Sequence, residues 1–204
     1  MTTSIPTRSV ASPSIRAAAA AGVAAAAVLV INAAKRAQIV PTTEATQLLA
    51  PLAEVFAIAL VTGMFAVCQS RLGKLGRAFF YLELAALALL VGVEFVINLV
   101  FAYLDPTTIA DLRSGPLGLA LTVASVLFLI GTIGFALTIA ATKIVPRVPL
   151  AVYAIGSVPV ALRSVVPEAA LDIGLITMAI GVGWLSVWLF TRTDTTSQQR
   201  RSNS

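Results

Sequence analysis

Carboxylates stand inside segments of this sequence that are otherwise apolar, and they are the side chains best placed to do chemistry. Glu54, Glu83, Glu94 and Asp172 lie in such segments, and Arg163 lies near the end of another. A charged group in the core of a bilayer costs at least about 2.5 kcal/mol, so it normally faces the protein interior and has a partner or a function. Because carboxylates accept cations and protons, these residues are the first candidates for a binding site.

Glu54 and Glu94 are predicted to lie at a similar depth. Each is about eight to ten residues from the same end of its segment, which is roughly 12–15 Å by helical rise. Pro51 lies one turn before Glu54 and should loosen the helix there, freeing a carbonyl. Gln47 shares a helix face with Glu54, and Asn98 lies one turn beyond Glu94. We therefore expect these groups to line one polar crevice.

Polar residues of other segments can complete this crevice. Asn32 and Arg36 are four residues apart and share a helix face at the end of the first segment. Asp172 and Arg163 flank the connection between the last two segments, and Tyr153 precedes them. The predicted crevice comprises Glu54, Glu94, Asn98, Arg163 and Asp172, with Gln47, Asn32, Arg36, Tyr153 and Glu83 as secondary members.

Two interpretations of these charges are open. Together with Lys35 and Glu168 they nearly balance, so they could form a structural network of ion pairs that fixes helix register, with Glu168 as a first-turn acid. They could also bind a solute or a proton beside a proline-broken helix, as in many carriers. Glu83 is a separate case, since we expect it near the cytoplasmic surface, paired with Arg77 or Lys74.

Membrane helices are the elements that must position these residues. The chain is 58% hydrophobic and 11% charged, whereas a soluble domain carries about 25% charged residues. A membrane span needs roughly 20 mostly apolar residues. The predicted fold class is an all-helical integral membrane bundle of about six transmembrane helices, at about 16–34, 46–68, 78–104, 117–141, 147–165 and 168–190. The segments 1–14 and 191–204, on either side of the 15–190 membrane domain, are expected to be disordered cytoplasmic tails.

Basic residues orient the predicted bundle in the cell membrane. Cytoplasmic loops carry the excess of Lys and Arg. With the N-terminus inside, ten of these residues fall on the cytoplasmic side and four outside, so both termini are expected in the cytoplasm. The outer four are Lys35, Arg36, Arg113 and Arg163. The first apolar run is longer than that of a signal peptide, and we expect it to remain uncleaved.

Small residues recur on the fourth and sixth predicted spans and are typical of closely packed membrane helices. They are Ser125, Gly131, Thr132 and Gly134 on the fourth, and Gly174, Thr177, Gly181 and Gly183 on the sixth. We expect these faces to pack within the chain first, although they could also form a homo- or hetero-oligomer. The connection 105–116 is bounded by turn residues and can hold one amphipathic turn of helix.

The sequence excludes most catalytic chemistry. Histidine is absent, the single cysteine is Cys68 in an apolar span, and no catalytic motif occurs. We expect no enzymatic activity, no cofactor, no metal and, because basic residues only flank the spans, no nucleic-acid partner. The pattern is typical of small bacterial membrane proteins, whose surroundings are the lipid bilayer. Two functions remain, namely a small-solute or proton carrier or binding protein with an outward-facing crevice, and a structural accessory subunit that packs against partner helices.

Overall fold

The computed structural model describes residues 12–202, with side chains for residues 13–192. Helices account for nearly all of this part of the chain, and it contains no β-strand. The α-helices are α1 (Ser12–Arg36), α2 (Glu44–Leu49), α3 (Leu52–Cys68), α4 (Lys74–Phe95), α5 (Pro106–Ser114), α6 (Pro116–Ala141), α7 (Arg147–Ala161) and α8 (Glu168–Ser202). Residues 1–11 and 203–204 of the predicted disordered tails lie outside the described part, and the backbone of α8 is helical to Ser202.

Five helical segments are long and apolar enough to cross a membrane, and each overlaps one of the six predicted spans. They are Pro13–Arg36, Glu44–Cys68, Lys74–Tyr103, Pro116–Ala141 and Glu168–Arg192. The sixth, α7, has 15 residues, about 22 Å by helical rise, whereas the hydrocarbon core of a bilayer is about 30 Å thick. The all-helical prediction is therefore confirmed, and five helices rather than six reach the length of a span.

The early end of α7 has a local cause. Pro159 lies inside the helix and cannot donate the backbone hydrogen bond of its turn. Leu162 then leaves the helical conformation, with φ −92° and ψ 21°, and residues 162–165 form turns. The predicted span 147–165 is thus wrong in its last four residues, and Arg163 lies in a turn rather than on a helix.

The long helices and α7 form a closed ring. Contacts run from α1 to α3, α3 to α4, α4 to α6, α6 to α7, α7 to α8 and from α8 back to α1. Buried side chains, among them Phe128, Met64 and Ile139, fill its centre. Outside the ring, α5 packs on α6, and α2 contacts α1 and the segment that follows α4. We call the end of the ring where α5 lies, α1 ends and α8 begins the α5 end.

The connection 105–116 holds a nine-residue helix, α5, instead of the single turn that the sequence suggested. Asp105 caps it, since its Oδ1 accepts hydrogen bonds from the backbone N–H groups of Thr107 at 3.1 Å and Thr108 at 3.0 Å. The hydroxyls of the same two threonines also donate to Asp105. These hydrogen bonds hold the pKa of the Asp105 carboxyl well below its usual range.

Small residues set the distances between neighbouring helices. A Cβ atom at Gly131 of α6 would lie 3.1 Å from the Cα of Glu83 on α4, so only glycine permits this approach. Gly174 and Gly181 of α8 face α7 in the same manner. These three glycines of α6 and α8 are therefore used for helix contacts within the chain.

Candidate functional site

Two interruptions of helical structure lie beside the predicted polar residues at the α5 end. The break between α2 and α3 falls at Pro51, which places Glu54 in the first turn of α3. After α4 the chain continues as a π-helical segment, Val96–Val100, which contains Asn98. Single π-helical turns within α-helices are frequent at functional sites. Irregular backbone at bilayer depth is tolerated where it is buried in protein or lines a cavity.

Glu94 is the centre of a polar network. Arg163 Nη1 donates to Glu94 Oε1 at 2.5 Å. Asn98 Nδ2 donates to Glu94 Oε2 and to the backbone carbonyl of Glu94, both at 2.9 Å. Lys35 Nζ in turn donates to Asn98 Oδ1 at 2.6 Å. The network thus joins α1, the end of α4 and the turn after α7.

Arg36 forms a second connection, from α1 to α8. Its guanidinium forms an ion pair with Glu168, and its Nε donates to Asp172 Oδ1 at 3.2 Å. Glu168 and Asp172 are four residues apart, so they share one face of α8 and meet the same guanidinium. The N-terminal end of a helix also favours negative charge at these positions.

Two buried oxygen atoms of this region have no hydrogen-bond partner in the described part of the chain, namely Oε2 of Glu54 and Oδ1 of Asn32. Asn32 is only 9% exposed, and its amide nitrogen donates at 3.5 Å to the carbonyl of Ala50, just before the Pro51 break. Both unpaired atoms are acceptors. A hydrogen-bond donor or a cation is therefore what fits beside them.

These side chains line a cavity of about 80 Å³, which we call the crevice. Its polar lining is Asn32, Lys35, Arg36, Glu54, Glu94, Asn98 and Arg163. A water molecule needs about 10–15 Å³ of such volume, so the crevice has room for a few waters or a small cation. Three cations, Lys35, Arg36 and Arg163, line the crevice. Four carboxylates lie in it or next to it: Glu54 and Glu94 belong to its lining, and Glu168 and Asp172 both pair with Arg36. The carboxylate without a cation of its own is Glu54.

A wider cavity of about 400 Å³ adjoins the crevice on the side of α6. The two cavities share Arg36, Ile97, Arg163 and Leu171. The wider cavity is bounded by exposed residues, among them Glu168 and Arg113 of α5. The Arg113 guanidinium lies 5.3 Å from the centre of the Phe101 ring, a cation–π arrangement. The wider cavity is thus the mouth of the crevice at the α5 end.

The structure brings most of the predicted crevice together, but not all of it. Asp172 reaches the crevice only through Arg36. Gln47 lies outside it, where its Oε1 accepts a hydrogen bond from the Tyr103 hydroxyl at 3.0 Å. Lys35 lines the crevice although it was not among the predicted site residues. Its signal in the sequence was the spacing of three residues from Asn32, which places both on one helix face.

The prediction that Glu83 pairs with Arg77 or Lys74 near the surface is wrong. Six and nine residues of helix turn a side chain by about 240° and 180°, so both cations point away from Glu83. Glu83 is instead fully buried, at 0% exposure. Its Oε1 accepts a hydrogen bond from the Tyr153 hydroxyl at 2.7 Å, and both carboxyl oxygens lie 3.1 Å from Thr132 Oγ1. Tyr153 therefore lies in the core of the bundle and not in the crevice.

Comparison with protein-family models, with curated proteins and with solved structures finds no match for this chain. In the part of the chain that the structure describes, no group of three or more His, Cys, Asp or Glu residues is placed to hold a metal ion. The chemistry that the crevice offers is that of two buried acceptor oxygens, one of them a carboxylate, beside a wider mouth. Such a site suits a proton or a small cation.

Proposed function

We propose that this chain is a multi-pass integral membrane protein that binds a proton or a small cation in the crevice and exchanges it with the outside. The six helices of the ring, α7 included, lie in the bilayer, since α7 packs between α6 and α8 and shares their apolar surroundings. The excess of basic residues at the opposite end supports a cytoplasmic location of the termini. The α5 end, with the mouth of the crevice, then faces outward.

The observation that carries this proposal is that Glu54 and Asn32, which line the same crevice, each have a buried oxygen without a hydrogen-bond partner. A buried carboxylate oxygen without a hydrogen-bond partner costs roughly 1–3 kcal/mol or more, and a bound proton or cation removes that cost. The remaining charges of the crevice already hold one another in ion pairs and hydrogen bonds. A network serving only to fix helix register would need no fourth carboxylate.

Water access to the crevice tests the first half of the proposal. In a Cys68→Ala background, a single cysteine at Ile97, which lines both cavities and forms no side-chain hydrogen bond, is exposed to a membrane-impermeant thiol reagent added from outside. A cysteine at Leu89 is the matched control, because Leu89 lies on α4 about two turns before position 97 and is 47% exposed on the lipid side. We expect labelling at position 97 and none at position 89. Equal protection of both positions would overturn an open crevice and favour the structural accessory subunit.

Ligand binding tests the second half. A ligand that binds only the folded protein raises its melting temperature. We expect the melting temperature of the detergent-purified protein to rise with sodium, potassium or methylammonium chloride, or with falling pH, and Glu54→Gln to abolish the response. Glu44→Gln, which removes an exposed carboxylate at the start of α2, is the control and should retain it. A response that Glu54→Gln leaves intact would place the ligand elsewhere.

A further inference from the structure

Glu83 is a second buried carboxyl group that the crevice does not use. It lies in the core between α4, α6 and α7, and its side-chain partners are two hydroxyls, those of Thr132 and Tyr153. None of the ion pairs in the described part of the chain includes it. Burying a carboxylate with no cation beside it costs several kcal/mol, a cost that a bound proton removes. The structure thus holds two carboxyl groups, Glu54 and Glu83, that gain from a proton.

A small cavity lies between Glu54 and Tyr153, the residue whose hydroxyl donates to Glu83. Its volume is about 20 Å³, and the only polar side chains in its lining are Glu54 and Tyr153. Glu54 also lines the crevice, and the hydroxyl of Tyr153 donates to Glu83, so this cavity connects the crevice with the core. A volume above about 10–15 Å³ admits one water molecule. One water placed here would have Glu54 and Tyr153 as its polar neighbours.

We propose that Glu54, one water molecule in this cavity and Tyr153 form a proton relay between the crevice and Glu83. The inference rests on the proposed function and names the proton as a species that the crevice takes up.

Every step of the relay balances. The Glu54 carboxyl gives its proton to the water, the water gives one of its protons to Tyr153 Oη, and Tyr153 gives its own proton to Glu83 Oε1. Three O–H bonds break and three form, so the water and the tyrosine end neutral and unchanged. The net result is an ionised Glu54 and a protonated Glu83, and the reverse sequence restores the start. Rotation of the tyrosine hydroxyl resets the relay for the next proton.

The charges around each end are suited to this transfer. Glu54 faces Glu94 and Arg163 across the crevice, with Lys35 on α1 lining the same space. The cation near an ionised Glu54 is therefore Arg163, which Glu54 shares with Glu94. Around Glu83 the facing titratable group is Tyr153, and the remaining partner is the neutral Thr132. A protonated Glu83 carboxyl group is neutral, which suits surroundings that lack a cation.

Hydrogen–deuterium exchange at the Glu83 carboxyl tests the relay. The protein in detergent is transferred to D₂O, and the carboxyl C=O stretching band that disappears in Glu83→Gln is followed by time-resolved infrared spectroscopy. We expect rapid exchange in the wild type and loss of that rapid phase in Tyr153→Phe. Thr132→Val is the matched control, because it removes the other hydroxyl partner without altering the lining of the small cavity. Its rapid phase should persist.

A second variant keeps the test independent of the tyrosine. Ala57 lines the small cavity and forms no hydrogen bond through its side chain, so Ala57→Val fills the space for the water without removing a polar group. Loss of the rapid phase here supports the relay. Rapid exchange in both Tyr153→Phe and Ala57→Val, each shown to be folded by size-exclusion chromatography, would overturn it. In that case a melting-temperature response that depends on Glu54 would still support the proposed function, whereas absence of that response alone would overturn the proposed function.

Discussion

Two glutamates of the same helix, Glu94 and Glu83, have opposite surroundings. They are eleven residues apart and share a face of α4. Glu94 meets a cation, Arg163, at the point where α4 gives way to a π-helical segment, and a cavity adjoins it. Glu83 meets two hydroxyls on regular helices, in a space that Gly131 keeps narrow.

The difference shows that neighbours, and not the residue type or its own helix, decide what a buried carboxylate does. Near Glu94 the backbone is irregular, which allows side chains from three elements to converge and leaves room for a ligand. Glu83 is fully buried, and its carboxyl oxygens meet the hydroxyls of Thr132 and Tyr153. At the α5 end, the Glu94 carboxylate has a cation partner and an adjoining cavity. In the core, the Glu83 carboxyl group has only neutral hydroxyls as hydrogen-bond partners.

Removing the charge of Glu94 should have the largest effect. Glu94→Gln leaves Arg163 partly buried without its carboxylate, and we expect a loss of about 3 kcal/mol, at the low end for a broken buried ion pair because both side chains retain some exposure. The same substitution at position 83 keeps the side chain shape and its hydroxyl partners and should cost less than about 1 kcal/mol. Chemical or thermal unfolding in detergent measures both. Equal losses of unfolding free energy in Glu94→Gln and Glu83→Gln would contradict the proposed difference between the two regions.

Packing at Gly131 should have the next largest effect. In Gly131→Ala the new Cβ lies 3.1 Å from the Cα and 3.2 Å from the N of Glu83, so α4 and α6 must move apart. Overpacking of this kind costs roughly 1–3 kcal/mol, and we expect about 2. Gly92→Ala on α4, where a Cβ meets nothing within 4 Å, is the control and should be neutral or slightly stabilising in thermal unfolding. A Gly131→Ala variant as stable as the wild type would mean that α4 and α6 can move apart at little cost in free energy.

The Asp105 cap should have the smallest effect and leave both regions unchanged. Its lowered pKa means that the cap is fully formed above about pH 4, the usual aspartate range, and is lost only as the pH falls through the lower folded-state pKa. We expect Asp105→Ala to raise hydrogen exchange at the amides of Thr107 and Thr108, measured by mass spectrometry at neutral pH. Asp111→Ala, on the same helix but not a cap, is the control. Faster exchange in α4 or α8 would show that α5 supports the crevice.

Much of the α5 end could be anticipated from spacing alone. The proline before Glu54 predicted a loosened helix there, and the four-residue spacing of Asn32 and Arg36 predicted a shared face. Lys35 was missed as a site residue because a basic residue at the end of a span is normally explained by the interface. The surroundings of Glu83 were missed because Thr132 and Tyr153 come from other helices, and no local spacing relates them to Glu83.

The sequence by itself determined that the chain is helical and apolar, and which residues carry charge inside apolar segments, because hydrophobicity and helical period are local properties of the chain. Only the tertiary structure decided which charges meet. Arg163 reaches Glu94 because α7 ends early in a turn, and Glu83 accepts a hydrogen bond from Thr132 because Gly131 lets α6 approach α4. The unpaired oxygens of Glu54 and Asn32 are likewise visible only in the tertiary structure, because whether an atom has a hydrogen-bond partner depends on all the groups around it.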